Sequence, residues 1–300
     1  MTQPLAPTPR IPSRRWPGRP RRRGYVLVMT LLLLALAGLI LVGIARHSLA
    51  LAQEAIESER DLQDRWGALS LEHALFARAD DLLSPPADVQ APAARPAPRR
   101  AGELRLGGTT YRFLLGNESA KLNLNTALRL RDPEAVRGVL AELADQPLPI
   151  VLRPATDEAS PPFSSWGQVV AYDQLPEGEV PERLLSGTLH VTCWGNGRLK
   201  LTSADPRTIA ALCRLARVPP HRGRQLVQVV EAHPEYKLPE LLAAAQLDER
   251  ELARLRPHLT DRPETYSLWL VSMQGARRAC RFSVAEQGLG GARRTKRFTW

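Results

Sequence analysis

Side chains that commonly carry catalysis are scattered through this sequence of 300 residues. It contains no Gly-x-Ser-x-Gly turn for a nucleophilic serine, no phosphate-binding glycine loop and no HExxH zinc motif. The six histidines stand apart, with no second ligand or base at a useful spacing: His47, His73, His190, His221, His233 and His258. We therefore predict that the protein is not an enzyme and has no catalytic residue.

The cysteines give no metal or disulfide signal of their own. Cys193, Cys213 and Cys280 are an odd number and form no CxxC pair. Cysteine is among the most frequently buried residue types, so we interpret all three as small core side chains. One disulfide could form if the domain lies outside the cytosol, and these residues indicate no cofactor.

The positive charge of the chain is concentrated at its N-terminus. The net charge is +10, and residues 1–24 hold seven arginines and no acid. The other residues contain 34 basic and 31 acidic side chains, a net charge of +3. A strongly basic field therefore belongs to the tail and not to the body of the protein.

Tyr25 to Ala45 is an uncharged stretch of 21 residues. As a helix it would span about 30 Å, the thickness of a bilayer's hydrocarbon core. Three arginines at 21–23 directly precede it, so the positive-inside rule places the leader in the cytoplasm and the rest of the chain across the membrane. A cleavable signal ending at Ala50-Leu51-Ala52 is the alternative, but the apolar stretch is about twice as long as such signals need.

The sequence beyond the span predicts a continuation of the same helix. Apolar residues recur every seven positions, and others fill the same stripe at steps of three and four. The heptad positions are Leu62, Leu69, Phe76 and Leu83, and the intermediate positions are Leu49, Ala52, Ile56 and Trp66. We predict a transmembrane helix over 25–45 and an amphipathic helix over 46–84.

A basic leader ending in Arg23-Gly24, then Tyr25 and a long apolar helix that becomes amphipathic, resembles the N-terminus of type IV pilin-like proteins. A prepilin peptidase cuts that family after the glycine. The resemblance therefore implies that residues 1–24 are a leader, that the bond between Gly24 and Tyr25 is cleaved, and that the new N-terminus undergoes methylation.

Met29 stands at the fifth mature position, where most of that family has glutamate. A carboxylate inside a membrane is costly unless it is paired, and the family pairs it with the N-terminal amine of the neighbouring subunit. A subunit with no neighbour above it gains nothing from the glutamate. In this respect, and in its length, the chain resembles the tip-forming minor pseudopilin K of type II secretion.

The remaining segments predict an α+β fold, in which a pilin-like long N-terminal helix packs on an antiparallel sheet with a large inserted helical domain. Five prolines indicate a linker at 85–100, and Gly107-Gly108 indicates a hairpin turn. The predicted divisions that follow are a β-hairpin at 101–119, the helical insertion at 120–259, and C-terminal strands at 260–300.

Two similar segments carry the resemblance into the insertion. AKLNLNTA at 120–127 and GRLKLTSA at 197–204 share Leu-x-Leu and a closing alanine, and each precedes an Asp-Pro pair suited to a helix start. We predict a strand for the first segment; a degenerate repeat and chance similarity both account for the likeness. Lys200 and Thr202 occupy positions where pseudopilin K usually carries asparagines.

The helices after Val218 also resemble helix-hairpin-helix modules, which bind DNA phosphates through backbone amides. Here Pro219 and Pro220 remove two such amides, although Arg217, Arg222 and Arg224 could contact phosphate. The alternative function is therefore a membrane-anchored protein of DNA uptake, or a minor pilin of a type IV pilus. Binding to nucleic acid is not expected.

The resemblance to pseudopilin K implies that the protein acts by assembling with other subunits and not by catalysing a reaction. The implied partners are the minor pseudopilins I and J, other pseudopilus subunits and the prepilin peptidase. The implied location is the bacterial inner membrane, crossed once, with the C-terminal domain in the periplasm. We predict that Leu49, Ala52 and Ile56 contact partners. Calcium, which could bind at Asp80-Asp81 or Asp157-Glu158, is implied by family resemblance only, since the flanking residues match no calcium loop.

Overall fold

The structure is a computed structural model that describes residues 23–84, 95–143, 149–150, 163–176, 180–275, 277–287 and 293–299. Most of the predicted leader, residues 85–94 of the predicted linker, Asp157-Glu158 and residues 288–292 of the predicted C-terminal strands lie outside these residues. The chain divides into two compact units, residues 1–62 and residues 63–300, and each is described by itself below.

The N-terminal helix α1 runs from Arg23 to Ala77. Leucine and alanine dominate its first half, and both favour helix. Within the described residues it is the one helix long and apolar enough to cross a membrane. Arg78 interrupts the helix, and a short helix α2 follows at Ala79–Leu83. The sequence predicted one continuous helix to residue 84, which is wrong at Arg78. Helix α2 ends before Pro85 because a residue preceding proline disfavours helical geometry.

The second unit contains an antiparallel sheet of five strands in the order β1-β2-β5-β6-β7. Two further short strands, β3 and β4, pair in parallel. Within the described residues, the strands are β1 Arg99–Leu106, β2 Thr109–Asn117, β3 Leu122–Asn123, β4 Val191–Thr192, β5 Thr265–Gln274, β6 Arg277–Gln287 and β7 Arg293–Thr299. The predicted antiparallel sheet is therefore confirmed. Strand β1 begins at Arg99, inside the stretch predicted as linker.

The turn between β1 and β2 explains the glycine pair. Gly107 has φ +60°, a conformation that glycine adopts without steric cost. Leu106 and Thr109 flank the turn and pair directly. A two-residue turn with glycine first matches the right-handed twist of hairpin strands, so the sequence signal and the observed hairpin agree.

One face of the sheet packs against the part of α1 beyond Gln63. Ala68, Leu75 and Phe76 are buried there against Tyr111, Leu115, Leu268 and Leu270. Gly67 permits the closest approach, since a Cβ at this position would lie 2.2 Å from the Tyr111 hydroxyl oxygen. Of the apolar positions that predicted the amphipathic helix, Phe76 and Leu83 are buried. Leu62 and Trp66 are exposed, and the packed face runs through Gly67 and Ala68.

The other face of the sheet carries the helices inserted between β2 and β5. Trp269, Phe282 and Val284 of the sheet join Trp194 and the helical residues in one core. The inserted helices are α3 Leu124–Leu130, α4 Pro133–Leu143, α5 Val180–Gly187, α6 Pro206–Leu215, α7 Pro220–Ala232, α8 Leu238–Ala244 and α9 Glu249–Leu255. Within the second unit, the sheet thus lies between the part of α1 beyond Gln63 and the insertion.

The two similar segments differ from their predicted form. In the first, only Leu122 and Asn123 are strand, and α3 begins at Leu124. The Asn123 side chain accepts a hydrogen bond from the Thr126 amide, so a helix cap overrides the alternating pattern. The predicted aspartate caps are present, since Asp132 accepts from Ala135 and Asp205 accepts from Arg207.

Candidate functional site in the N-terminal helix

Gly24 and Tyr25 lie in the first turn of α1 and are exposed. A Cβ added to Gly24 would meet no atom within 4 Å, and Gly24 does not have a positive φ. Neither packing nor backbone geometry in the described part of the chain therefore requires glycine here. A requirement imposed by a processing enzyme is compatible with that observation.

Leu49, Ala52 and Ile56 lie on one side of α1, because steps of three and four residues bring side chains onto the same helix face. We call these residues the partner face. Leu49 is 62% exposed and Ile56 is 49% exposed, and Ala52 is also exposed. Exposing these apolar side chains to water is unfavourable in free energy, so the partner face is suited to burial by another helix.

Two acidic side chains attach α1 to the sheet, and neither was predicted from the sequence. Glu72 is buried, accepts a hydrogen bond from the Ser283 hydroxyl at 2.6 Å and pairs with Arg297 at 2.7 Å. The bond from Arg297 to Glu72 raises the pKa of the Arg297 guanidinium. The sequence does contain a signal for Glu72, because this acidic residue lies on the apolar face of the helix between Ala68 and Leu75.

Asp64 forms the second attachment, about two helical turns before Glu72 in α1. Its carboxylate pairs with Arg281 at 2.6 Å, and the Tyr111 hydroxyl donates to its backbone carbonyl at 3.3 Å. Burial and the nearby Asp64 charge raise the pKa of Tyr111. Because Arg281 and Arg297 project from neighbouring strands, the two attachments hold the helix at two points along its length.

A buried ion pair joins the sheet to the insertion. Glu118 follows β2, pairs with Lys121 and accepts a hydrogen bond from the Ser267 hydroxyl of β5 at 2.5 Å. The Glu118 side chain is almost fully buried, so losing either partner would leave a desolvated charge. The pair therefore fixes the end of β2 against β5 at the start of the insertion.

The asparagines of the first segment hold the insertion together. Asn123 donates to the Trp194 carbonyl at 2.8 Å, and Asn125 donates to Phe163 and accepts from its amide. In the second segment, backbone carbonyls are the acceptors. The Thr202 and Leu201 carbonyls accept hydrogen bonds from the Arg95 guanidinium at 2.8 and 3.1 Å.

The thiols are unsuited to chemistry. Cys193, Cys213 and Cys280 are buried and free. Burial raises the pKa of Cys193 strongly, that of Cys213 to about 12 and that of Cys280 to about 11. A thiolate is the reactive form of cysteine, so these groups would be unreactive at neutral pH.

Among the described residues, no cluster of three or more His, Cys, Asp or Glu side chains could hold a metal ion. Asp80, one of the acids considered for calcium, accepts a hydrogen bond from the Tyr266 hydroxyl. That contact joins α2 to β5. Asp157-Glu158 lies outside the described residues.

The turn considered for DNA binding connects α6 and α7. Pro219 caps α7 and Pro220 is its first residue, so neither can donate an amide to phosphate. Arg217 has φ +59°, and the Arg222 guanidinium donates to Gln225 at 3.0 Å. The geometry offers no cradle of backbone donors at this turn.

Comparison with known proteins finds a similarity to a solved structure. No family model matches the chain, and no curated protein matches it. Among solved structures, the chain is similar to a chain in the crystal structure of the GspK-GspI-GspJ complex from the enterotoxigenic Escherichia coli type 2 secretion system. The identity is 14%, the TM-score is 0.46, and the match covers 81% of this chain and 98% of that one.

Proposed function

We propose that this protein is a minor pseudopilin of the K type, a membrane-anchored subunit at the tip of the type II secretion pseudopilus. One observation carries the proposal. A single helix, Arg23–Ala77, begins with an exposed apolar segment and ends packed on an antiparallel sheet that carries a large helical insertion between its second and third strands in chain order.

The proposed mechanism is assembly through helix packing. The apolar segment at 25–45 anchors the chain in the inner membrane, and residues after it extend into the periplasm. The partner face then packs on the helices of smaller subunits, minor pseudopilins of the I and J type. Burying an exposed aliphatic side chain is worth about 1.5–3 kcal/mol, so a few such contacts can hold subunits together.

The attachments of α1 to the sheet support this mechanism. Glu72 with Arg297 and Asp64 with Arg281 fix the helix on the body of the protein. A force on this part of α1 would therefore be transmitted to the sheet and the insertion. The insertion is the bulkiest part of the chain, and in the proposed role it is presented toward a secreted protein or an outer-membrane channel.

Met29 supports a position at the tip. A subunit within a filament would gain from a glutamate that pairs with the amine of the next subunit, whereas a first subunit has no such amine to meet. An apolar methionine avoids the cost of an unpaired carboxylate in the membrane. The same property would let the protein prime assembly, since nothing needs to precede it.

A charge placed in the partner face tests the proposal. Ile56→Asp would bury a carboxylate against the apolar side chains of the partner subunits. Where that contact excludes water, the substitution should weaken the association by about 2 kcal/mol or more. We expect this variant to lose co-purification with the smaller pseudopilins and to block secretion, with the Tm of the body unchanged.

The matched control is Ser58→Asp, which adds the same charge two residues away. Two residues turn the helix by about 200°, so this aspartate lies on the opposite side of α1 and should leave assembly intact. If Ile56→Asp also assembles and secretes normally, the helix is only a tether and the proposed mechanism is wrong.

A further inference from the structure

Strand β1 forms one end of the five-stranded sheet, and within the described residues it pairs only with β2. Seven of its eight residues are exposed, Gly102 being half-buried. An edge strand leaves every second backbone amide and carbonyl without a ladder partner. Alternate backbone groups of β1 therefore point away from the sheet.

The hairpin register determines which backbone groups of β1 point outward. Leu106 and Thr109 flank a two-residue turn, so they form a hydrogen-bonded pair, and such pairs alternate with non-hydrogen-bonded pairs along the ladder. Leu104 and Gly102 are then bonded to β2. The outward amides and carbonyls belong to Arg99, Ala101, Glu103 and Arg105.

The side of β1 that faces α1 carries two incompletely covered leucines and Arg100, whose guanidinium donates to the Leu82 carbonyl at 2.9 Å. Leu104 is 43% exposed and Leu106 is 49% exposed. A methyl carbon of Leu106 lies 3.5 Å from the Cβ position of Gly67, and the next helix residue, Trp66, is 62% exposed. An edge protected against association would not keep these apolar groups in solvent.

The opposite side of β1 is basic. Glu103 is already paired with Arg112 at 2.8 Å. Arg99 and Arg105 have no acidic partner within the described part of the chain. The far edge of the sheet differs, because in β7 Arg297 pairs with Glu72 and Lys296 lies over the Trp194 ring.

We propose that β1 binds an extended segment of another protein, which adds to the sheet as a sixth strand. The segment would alternate acidic side chains, beside Arg99 and Arg105, with apolar side chains beside Leu104 and Leu106. In the antiparallel register of fullest overlap between the outward groups, a second copy of β1 would place Arg99 opposite Arg105, and like charges across strands repel. The chemistry selects an acidic, alternating peptide.

The test uses the full chain in detergent and a short synthetic peptide in which Glu alternates with Val. A peptide with Lys in place of Glu is the charge control. We expect the acidic peptide to bind and the basic one to bind at least about tenfold more weakly. A double variant, Arg99→Glu with Arg105→Glu, should reverse that preference.

Backbone pairing is tested with Ala101→Pro, which removes an outward amide and none of the bonds to β2. It should weaken binding of the acidic peptide about tenfold, whereas Ala101→Val keeps the amide and should bind as the parent does. Hydrogen exchange on the unaltered chain gives the same information without a variant, since the peptide should protect the amides of Ala101, Glu103 and Arg105.

Three results would overturn the proposal: no binding of the acidic peptide, equal binding of both peptides, or no added protection along β1. The inference does not depend on the proposed pseudopilin role. Ile56→Asp should leave peptide binding unchanged, so a failure of one proposal is distinguishable from a failure of the other.

Discussion

Glu72 is the single residue on which the docking of α1 most depends. It is buried between helix and sheet and bound by both Ser283 and Arg297. Hydrogen bonds to a charged group contribute about 1.5–3 kcal/mol each, and Arg297 is half exposed, which reduces its share through solvent screening.

We therefore expect Glu72→Gln to lower the free energy of unfolding by about 1–3 kcal/mol. Glu103→Gln is the control, because its ion pair with Arg112 is exposed and worth at most about 1 kcal/mol. Urea unfolding of the full chain in detergent, followed by near-UV circular dichroism, measures both. Equal effects of the two substitutions would show that Glu72 does not hold the helix.

At the scale of elements, the contact between α1 and the hairpin is set by Gly67. The Tyr111 hydroxyl oxygen occupies the space of a side chain at this position, and Tyr111 is itself buried. Gly67→Ala should therefore push the helix away from the sheet and destabilise the fold by about 1–3 kcal/mol, the usual cost of overpacking.

A second substitution distinguishes this clash from a loss of glycine in general. Tyr111→Phe removes the obstructing oxygen, so we expect the double variant Gly67→Ala with Tyr111→Phe to recover part of the lost stability. Thermal unfolding of the two single variants and the double variant gives the coupling between them. Purely additive losses would mean that the close approach at Gly67 does not limit the packing.

The sequence was sufficient to predict the elements with strong local patterns. The uncharged run after Gly24, the glycine pair at 107–108 and the alternating C-terminal strands all correspond to observed elements. The capping box of Asp248 and Glu251 was also predictable, and both of its hydrogen bonds are present. Each of these features depends on residues close together in the chain.

Features that depend on distant residues were not predictable. Glu72 finds Arg297 and Asp64 finds Arg281 only once the sheet is assembled. The interruption at Arg78 was not predictable either, and Phe76 and Ala79, on its two sides, are buried in one core cluster. The cap at Asn123 was missed because an asparagine in an alternating run also satisfies a strand pattern.

For the whole molecule, the arrangement around the sheet separates two tasks. The part of α1 beyond Gln63 lies on one face of the sheet, and the insertion lies on the other. In the proposed role, assembly would use α1 while the insertion stays accessible. At the start of α7, Pro219 and Pro220 have no amide hydrogen to donate to a phosphate.

The measurement that bears most directly on the proposed role is the mass of the mature N-terminus. A pilin-like subunit must lose its leader before it can enter a filament, so the protein purified from a host with its own prepilin peptidase should begin at Tyr25, and Gly24→Asp should block that cleavage. Intact-protein mass spectrometry reads both results. A mature chain beginning at Gln53 would reveal an ordinary secretory signal, and one beginning at Met1 would leave only a membrane anchor; either result would contradict the pseudopilin account.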